Sequence, residues 1–293
     1  MIRKFLKWTG IVLLVVLVST GSFAAHEWYA DKPFMFRAYL DRALVKMAFE
    51  DPEMLTSLGF LESMGIKGHN AHLDDAHPDN TDEFFADMKA FGEGLLRYDD
   101  EDLDQNQRLS KEITLYLTSM LEDMEPFRYH TYPANQMGGI QAAFPSFMDA
   151  QHQVHTLEDA EHYLSRMGEL QRKYEQQLLG LKIRESKDII PPRFVIDRVL
   201  DQMRDFVATP AKENILYTSL AKKMEEAEEI DDAQAEDILA RVEASINEDV
   251  YPAYGLFINY FSELQPKGGN DHGYWHLPDG EAAYKLALRL FTT

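Results

Sequence analysis

The sequence contains no cysteine among its 293 residues. This absence excludes disulfide bonds, thiolate zinc sites, iron–sulfur clusters, cysteine nucleophiles and lipid attachment through cysteine. The chain is also poor in positive charge, because 29 Lys and Arg residues stand against 50 Asp and Glu residues and give a net charge of −21. Since a phosphate backbone needs a basic surface, no nucleic acid is expected as a partner.

Several sequence motifs that carry chemistry are missing as well. The chain has no H-E-x-x-H zinc motif, no G-x-S-x-G nucleophile elbow, no glycine-rich phosphate loop and no EF-hand pattern. Period-two strand patterns flanked by hairpin turns are nearly absent. Apolar residues instead recur at helical spacing through the body. This pattern predicts an all-α fold, a multi-helix array of long antiparallel helices with irregular loops.

The N-terminal segment, residues 1–25, has the organisation of an export signal. Three basic residues precede the apolar run Ile11–Val18, and small residues around Ala24 follow it, as in a secretory signal peptide. As a helix, residues 5–25 would also cross a hydrocarbon core of about 30 Å, as an uncleaved anchor would. The pattern favours cleavage and leaves both alternatives open. Both predict an exported, periplasmic protein, either soluble or anchored to the inner membrane through this segment alone.

The remaining residues, 26–293, are predicted to form the helical body. Thr156 is a good N-cap for a long helix with apolar positions from Leu157 to Leu181. Pro191-Pro192 is expected to start another helix, and Asn80 or Thr81 to cap the helix after a polar connection. Another helix has its apolar positions on one side and Lys111 on a different face. These positions are Leu109, Ile113, Tyr116, Leu117, Met120, Leu121 and Met124.

Two groups of histidines could supply metal ligands: His69, His72 and His77, and His152, His155 and His162. The spacing of the first group matches no standard site, and histidines in a polar loop are usually solvated. In the second group the predicted cap breaks the helical register, which favours a helix entrance with an exposed histidine. The acidic run 225–232 is interpreted as a solvated helix face. The sequence therefore predicts no metal site.

Two loop stretches have compositions that suit ligand binding. The stretch 132–139 places Asn135 and Gln136 beside flexible backbone, a combination able to hydrogen-bond a peptide main chain. The stretch 271–280 concentrates aromatic residues, histidines and glycines, as pocket-lining loops often do, and includes Tyr274, Trp275 and His276. A structural interpretation, in which the amides cap helices and the aromatics fill a gap, is equally compatible with the residues.

These stretches are also where the chain resembles a known family, the bacterial Domain of Unknown Function 885 family, whose members are similar to zinc-dependent peptidases of the gluzincin kind. The matching landmarks occur in the family's order and span most of residues 34–293. They are Tyr132-Pro133-Ala134-Asn135-Gln136, Phe144-Pro145-Ser146-Phe147, Thr156 to Arg166, Ile190 to Val195, Tyr251-Pro252-Ala253-Tyr254, and Gly273 to Gly280 with Tyr284.

The resemblance implies an all-helical, exported scaffold of a metal-dependent peptidase. Family members carry their histidine–glutamate zinc motif downstream of the Pro-Asp-Gly segment, and this sequence ends at Thr293. The sequence is therefore expected to correspond to the N-terminal half of such a protein, with the C-terminal half as packing partner. No catalytic residue, metal ligand or cofactor is expected in this chain, and zinc only together with the missing half.

Two functions from different classes follow as expectations. In the first, the chain is the N-terminal portion of a zinc metallopeptidase-like protein, inactive alone, whose helices line a cleft for a peptide or small-molecule substrate. Asn135, Gln136, Tyr274, Trp275 and His276 are the candidate substrate-binding residues. In the second, the chain is a non-catalytic periplasmic peptide-binding or scaffold protein. A non-functional fragment that exposes apolar helix faces is a third possibility.

Overall fold

The computed structural model describes residues 2–270 and 273–292, with side chains from residue 8 onward. Every regular element within these residues is helical, so the all-α prediction is confirmed. The α-helices are α1 (Ile2–Tyr29), α2 (Phe36–Glu50), α3 (Pro52–Leu58), α4 (Pro78–Leu95), α5 (Gln105–Met124), α6 (Ile140–Ala150), α7 (Leu157–Ser186), α8 (Arg193–Ala208), α9 (Ile215–Glu225), α10 (Asp232–Ser245), α11 (Tyr251–Leu264) and α12 (Gly280–Thr292).

The chain forms two compact units. The first contains the described residues up to Met47 together with Phe84–Glu122. Its small core consists of Phe36, Tyr39, Leu95, Tyr98 and Leu103. The Tyr39 hydroxyl donates to the Phe91 carbonyl at 3.0 Å, and the Tyr39 ring lies so close to Gly94 that a Cβ there would be 1.8 Å from its Oη.

The second unit contains Ala48–Glu83 and the residues from Asp123 onward, and it holds the larger core. The 30-residue helix α7 packs against α10 and α11. Its Tyr174 ring stacks on Phe257 at 4.4 Å, and Phe206 of α8 stacks on Tyr254 at the same distance. Tyr254 also donates to the Gln141 carbonyl of α6 at 2.6 Å. Aromatic packing thus fixes α6, α7, α8 and α11 into one body.

The start of α7 confirms the cap prediction. The Thr156 side chain accepts from the backbone N–H of Asp159, and the Asp159 carboxylate accepts from the Thr156 N–H at 3.0 Å, which makes a complete capping box. The prediction for α4 was wrong in position, because that helix begins at Pro78 and not after Asn80 or Thr81. Proline is well tolerated in a first helical turn, where its missing N–H has no intrahelical partner.

A π turn, Ile246–Val250, joins α10 to α11 without a break. Pro252 follows it and lacks the N–H that an α-helix would use. The wider π turn accommodates the missing N–H of Pro252 without ending the helix, as local π geometry commonly does inside long helices. Residues 232–264 therefore form one nearly continuous helical rod.

Helix α5 has the predicted helical spacing, and it packs through a face that includes a lysine. Its apolar residues Leu109, Ile113, Tyr116 and Leu117 are each about half exposed, whereas Lys111 is buried. The Lys111 ammonium donates to the Tyr98 carbonyl at 2.6 Å and to Asp100 at 2.7 Å, so the polar face holds the unit together. Helical periodicity identifies the apolar face of α5, but it does not show which face packs against the rest of the unit.

Helix α1 is long and apolar enough to span a membrane. The span Trp8–Tyr29 contains an 18-residue window with a mean hydropathy of 1.9, and no residue of that window is buried against the protein. This agrees with the prediction of a signal or anchor helix. The predicted boundary between residues 25 and 26 lies inside this helix.

Candidate substrate-binding surface

The aromatic stretch predicted from the sequence forms a loop that is tied to residues 129–132. The Tyr274 hydroxyl donates to the His130 carbonyl at 3.2 Å, and the His130 ring donates from Nε2 to the Pro278 carbonyl at 2.7 Å. Gly280, at the start of α12, has no room for a side chain, since a Cβ would lie 2.0 Å from the Tyr274 carbonyl oxygen. Asp271 and His272 of the predicted stretch lie outside the described residues.

Within this loop the aromatic side chains face outward. Trp275 is 78% exposed, an unusual value for the largest apolar side chain, and His276 is exposed beside it. Tyr274 and Tyr284 of α12 lie with their ring centroids 6.2 Å apart. The loop therefore presents a hydrophobic aromatic surface on a framework held by specific hydrogen bonds.

Asn135 and Gln136 occupy a tight turn before α6. The Asn135 side chain donates to the Tyr132 carbonyl at 3.1 Å and accepts from the Met137 N–H at 3.0 Å, so it is used within its own turn. Gln136 receives a hydrogen bond on its backbone carbonyl from Gln202 of α8, whereas its buried Oε1 has no hydrogen-bond partner within residues 8–270 and 273–292. The amide pair thus lies toward α6 and α8.

The stretches are joined through Tyr129 and Tyr132, which pack with Leu277. Burial, and secondarily the neighbouring Tyr274, raises the pKa of Tyr132. Three cations, Arg128, Arg184 and Lys187, lie within 5.1 to 5.7 Å of the centre of the Tyr129 ring. Arg128 is also paired with Asp82 at 2.8 Å, so Arg184 and Lys187 are the cations that add positive charge at this edge of the surface.

Zinc does not fit the residues present. Across the described side chains, no group of three or more His, Asp or Glu residues converges as a metal site would require. His69 and His72 pair instead with single carboxylates, Glu62 at 2.9 Å and Glu169 at 2.8 Å. The interpretation of His69 as solvated was wrong, because its side chain is 7% exposed.

In the second histidine group, His155 is exposed just before the cap Thr156, as predicted for a helix entrance, whereas His152 is buried beside the fully buried Arg166. Arg166 donates to His152 Nδ1 at 2.8 Å, to the His72 carbonyl at 2.8 Å and to Thr56 Oγ1 at 2.6 Å. The burial of His152 depends on Arg166, which lies 14 residues further along the chain, inside α7. This network connects α7 to the segment containing α3, and no spacing in the sequence signals it.

Comparison with known proteins gives a family match and similar solved structures. A family model described as a bacterial protein of unknown function (DUF885) matches residues 52–293. The solved structure of "the putative lipoprotein from Colwellia psychrerythraea" has a similar fold, with a TM-score of 0.73 at 16% sequence identity. The alignment covers 83% of this chain and 43% of that one, so this chain spans less than half the length of that protein. No curated protein matches the chain.

Proposed function

We propose, from the premise that this chain belongs to the bacterial DUF885 family, that its helices form one wall of a peptide-binding cleft in an exported, metallopeptidase-like protein. A zinc peptidase needs three protein ligands and a carboxylate that takes a proton from the metal-bound water. We propose that those groups belong to a part of the protein outside residues 1–293. The chain itself would then bind peptides without cleaving them.

The observation that carries the proposal is the exposed Trp275 on its tethered loop. Aromatic and cationic side chains are the usual anchors of peptide recognition, since they offer large apolar area with few rotatable bonds. The ring of Trp275 is open to solvent, while Tyr274 and His130 hold the backbone on either side. A preformed loop loses little conformational entropy when a ligand binds.

The other candidate residues would contribute to peptide binding either by direct contact or by supporting a residue that makes contact. His276 and Tyr274 flank Trp275 and would contact the same ligand. Gln136, with an unpaired Oε1, would accept a peptide N–H after a small side-chain rotation. Asn135 would act indirectly, because its amide holds the turn that presents Gln136.

Export is part of the proposal. The similar structure is described as a lipoprotein, but this chain has no cysteine to carry a lipid. Export of this chain would therefore depend on α1, whose side chains from Trp8 to Ala25 are mostly apolar and exposed. The periplasm is the compartment that we propose.

Binding can be measured by the fluorescence of Trp275. Only Trp8, Trp28 and Trp275 are present, so a Trp8→Phe, Trp28→Phe background makes Trp275 the sole reporter. We expect unstructured peptides rich in Leu and Phe to shift its emission to shorter wavelength in a saturable manner. Binding by isothermal calorimetry should weaken at least about tenfold in Trp275→Ala. Trp28→Phe is the matched control. Equal affinity for Trp275→Ala and the control would exclude this loop as the binding surface.

Catalysis is tested separately with the same purified chain. We expect no stoichiometric zinc after dialysis against zinc-containing buffer and no peptide hydrolysis. Peptide hydrolysis that a chelator abolishes would contradict the proposal that catalytic groups lie elsewhere. Binding without hydrolysis even in the longest natural form of the protein would favour the alternative function, a non-catalytic periplasmic peptide-binding or scaffold protein.

A further inference from the structure

Helix α1 continues through the predicted cleavage position. Ala24 and Ala25 lie within the helix, which ends only at Tyr29. In a helix each backbone carbonyl is hydrogen-bonded four residues ahead and the peptide bonds are surrounded by side chains. A protease would have to unwind this turn before it could reach the bond.

The last turn of α1 is also a structural part of the first unit. Glu27 is buried, and its carboxylate accepts from the backbone N–H groups of Phe34 at 2.9 Å and Met35 at 3.1 Å. These N–H groups immediately precede α2, so the carboxylate lies at the positive end of that helix. Glu27 thus links the end of one helix to the start of the next.

A cation completes the link from the other side. Arg42 of α2 donates to the carbonyls of Trp28 at 2.9 Å and Ala30 at 2.7 Å, which lack intrahelical partners at the end of α1. Upstream of this point, the rings of Phe23 and His26 stack on Phe34, with centroid distances of 6.1 and 3.8 Å. Contacts therefore cross the predicted cleavage position from both sides.

The connection between α1 and α2 is fixed to the core of the unit as well. Tyr98 donates to the Pro33 carbonyl at 3.0 Å and packs edge-on against Phe36 at 5.3 Å. Lys32 donates to the Arg97 carbonyl at 2.6 Å. The connection between α1 and α2, called the joint below, is thus a folded structure and not a flexible linker.

Around this joint lies a set of exposed apolar side chains. Tyr29 is 81% and Phe34 70% exposed, and Trp28 and Met35 are about half exposed. They occur where an apolar helix of membrane-spanning length meets the folded unit. Aromatic residues are enriched at this level of membrane proteins, where amphipathic rings lie among the lipid headgroups.

We infer that α1 is retained as a membrane-spanning anchor and that Trp28, Tyr29, Phe34 and Met35 lie in the headgroup region of the bilayer. The partner of this surface is the lipid bilayer, because the surface is continuous with a helix that is apolar and exposed from Trp8 to Ala25. Glu27 and Arg42 hold the first unit at a fixed orientation to α1 and hence to the membrane. The inference goes beyond the proposed function and does not depend on peptide binding.

Retention is tested with the full chain expressed in a bacterium. We expect N-terminal sequencing and intact mass to show residues 1–25 still present, and the protein to stay in the membrane pellet after alkaline carbonate extraction. A product that begins after Ala24 or Ala25 would overturn the inference. So would a full-length product that carbonate releases into the supernatant.

The interfacial surface is tested by quenching in vesicles of phosphatidylethanolamine and phosphatidylglycerol. In a Trp8→Phe, Trp275→Phe background, Trp28 is the only fluorophore of its kind. We expect lipids brominated near the headgroup to quench Trp28 roughly twofold more than lipids brominated at the acyl-chain ends. Equal or weaker quenching by the shallow label would place Trp28 away from the headgroups and refute this part of the inference.

A variant tests whether the joint, and not only the apolar helix, protects residues 1–25 from cleavage. Glu27→Ala removes the carboxylate that links α1 to α2, so we expect the last turn of α1 to loosen and a cleaved product to accumulate. Glu93→Ala, an exposed acid of the same unit, is the matched control and should remain uncleaved. Cleavage at the same low level in both variants would show that the joint does not protect the helix.

Discussion

His152 is expected to make the fold sensitive to acid. Arginine has no acceptor, so the 2.8 Å contact with Arg166 requires a lone pair on His152 Nδ1. The ring proton therefore lies on Nε2, which donates to the Asp159 carbonyl at 3.0 Å. Both ring nitrogens therefore keep their hydrogen bonds only while the His152 ring is neutral. Burial, and secondarily the Arg166 charge, lowers the pKa of His152 from 6.5 to about 3.

The sign of the effect follows from proton linkage. Below pH 6.5 the unfolded chain binds a proton at His152, whereas the folded protein does not until the pH approaches 3. The free energy of unfolding should therefore fall as the pH falls, by about 1.4 kcal/mol per unit within this window. Between pH 6.5 and pH 5, the loss from this residue should be about 2 kcal/mol.

The assay is urea unfolding at pH 7, 6 and 5, followed by far-ultraviolet circular dichroism, for the wild-type protein and His152→Gln. Glutamine offers one acceptor and one donor but does not titrate, so the variant should show a shallower loss of stability toward pH 5. The comparison concerns the slopes, and any constant cost of the substitution cancels. Identical slopes in the two proteins would refute the assignment of a neutral, buried His152.

Two further predictions concern other buried contacts. Gly94→Ala places a Cβ against the Tyr39 hydroxyl and should destabilise the protein by about 1–3 kcal/mol in thermal unfolding. Gly168→Ala, in open space on a helix, should be neutral or slightly stabilising, and equal costs for the two would contradict the packing argument. Burial, and next the Glu53 charge, raises the pKa of Asp74 from 3.8 to about 7, so this residue removes stability as the pH rises through that range. Asp74→Asn should therefore be more stable than wild type at pH 8, by on the order of 1–3 kcal/mol, and the difference should vanish near pH 4 in urea titrations.

The fold class and the long helix could be predicted from the sequence because both depend on local signals. The N-cap role of Thr156 can be predicted from the sequence, since a capping box needs only residues a few positions apart. Helical periodicity likewise needs only nearby residues. These interactions are local, and the structure confirms them.

Sequence reasoning does not predict the burial of a side chain when that burial depends on a residue far away in the chain. His152 has the sequence context of a loop histidine, and its burial depends on Arg166 and on the segment around Thr56. Helix α5 shows its apolar face correctly, but Lys111 is the side chain that the unit encloses. Periodicity states that a face is apolar and not what covers it. The candidate residues of the two loops stay predictions, although the structure brings Tyr132 of one next to Leu277 of the other.

The π turn at Ile246–Val250 has a consequence for how α10 and α11 share one core. One added residue rotates everything after it by about 100° relative to an uninterrupted α-helix. Tyr254 and Phe257, which stack on Phe206 of α8 and Tyr174 of α7, lie after that rotation. Loss of a single residue from this turn would rotate α11 by about 100° about its axis and turn both rings away from their partners. The number of residues between Val242 and Tyr254 therefore sets which side chains of α11 face the core.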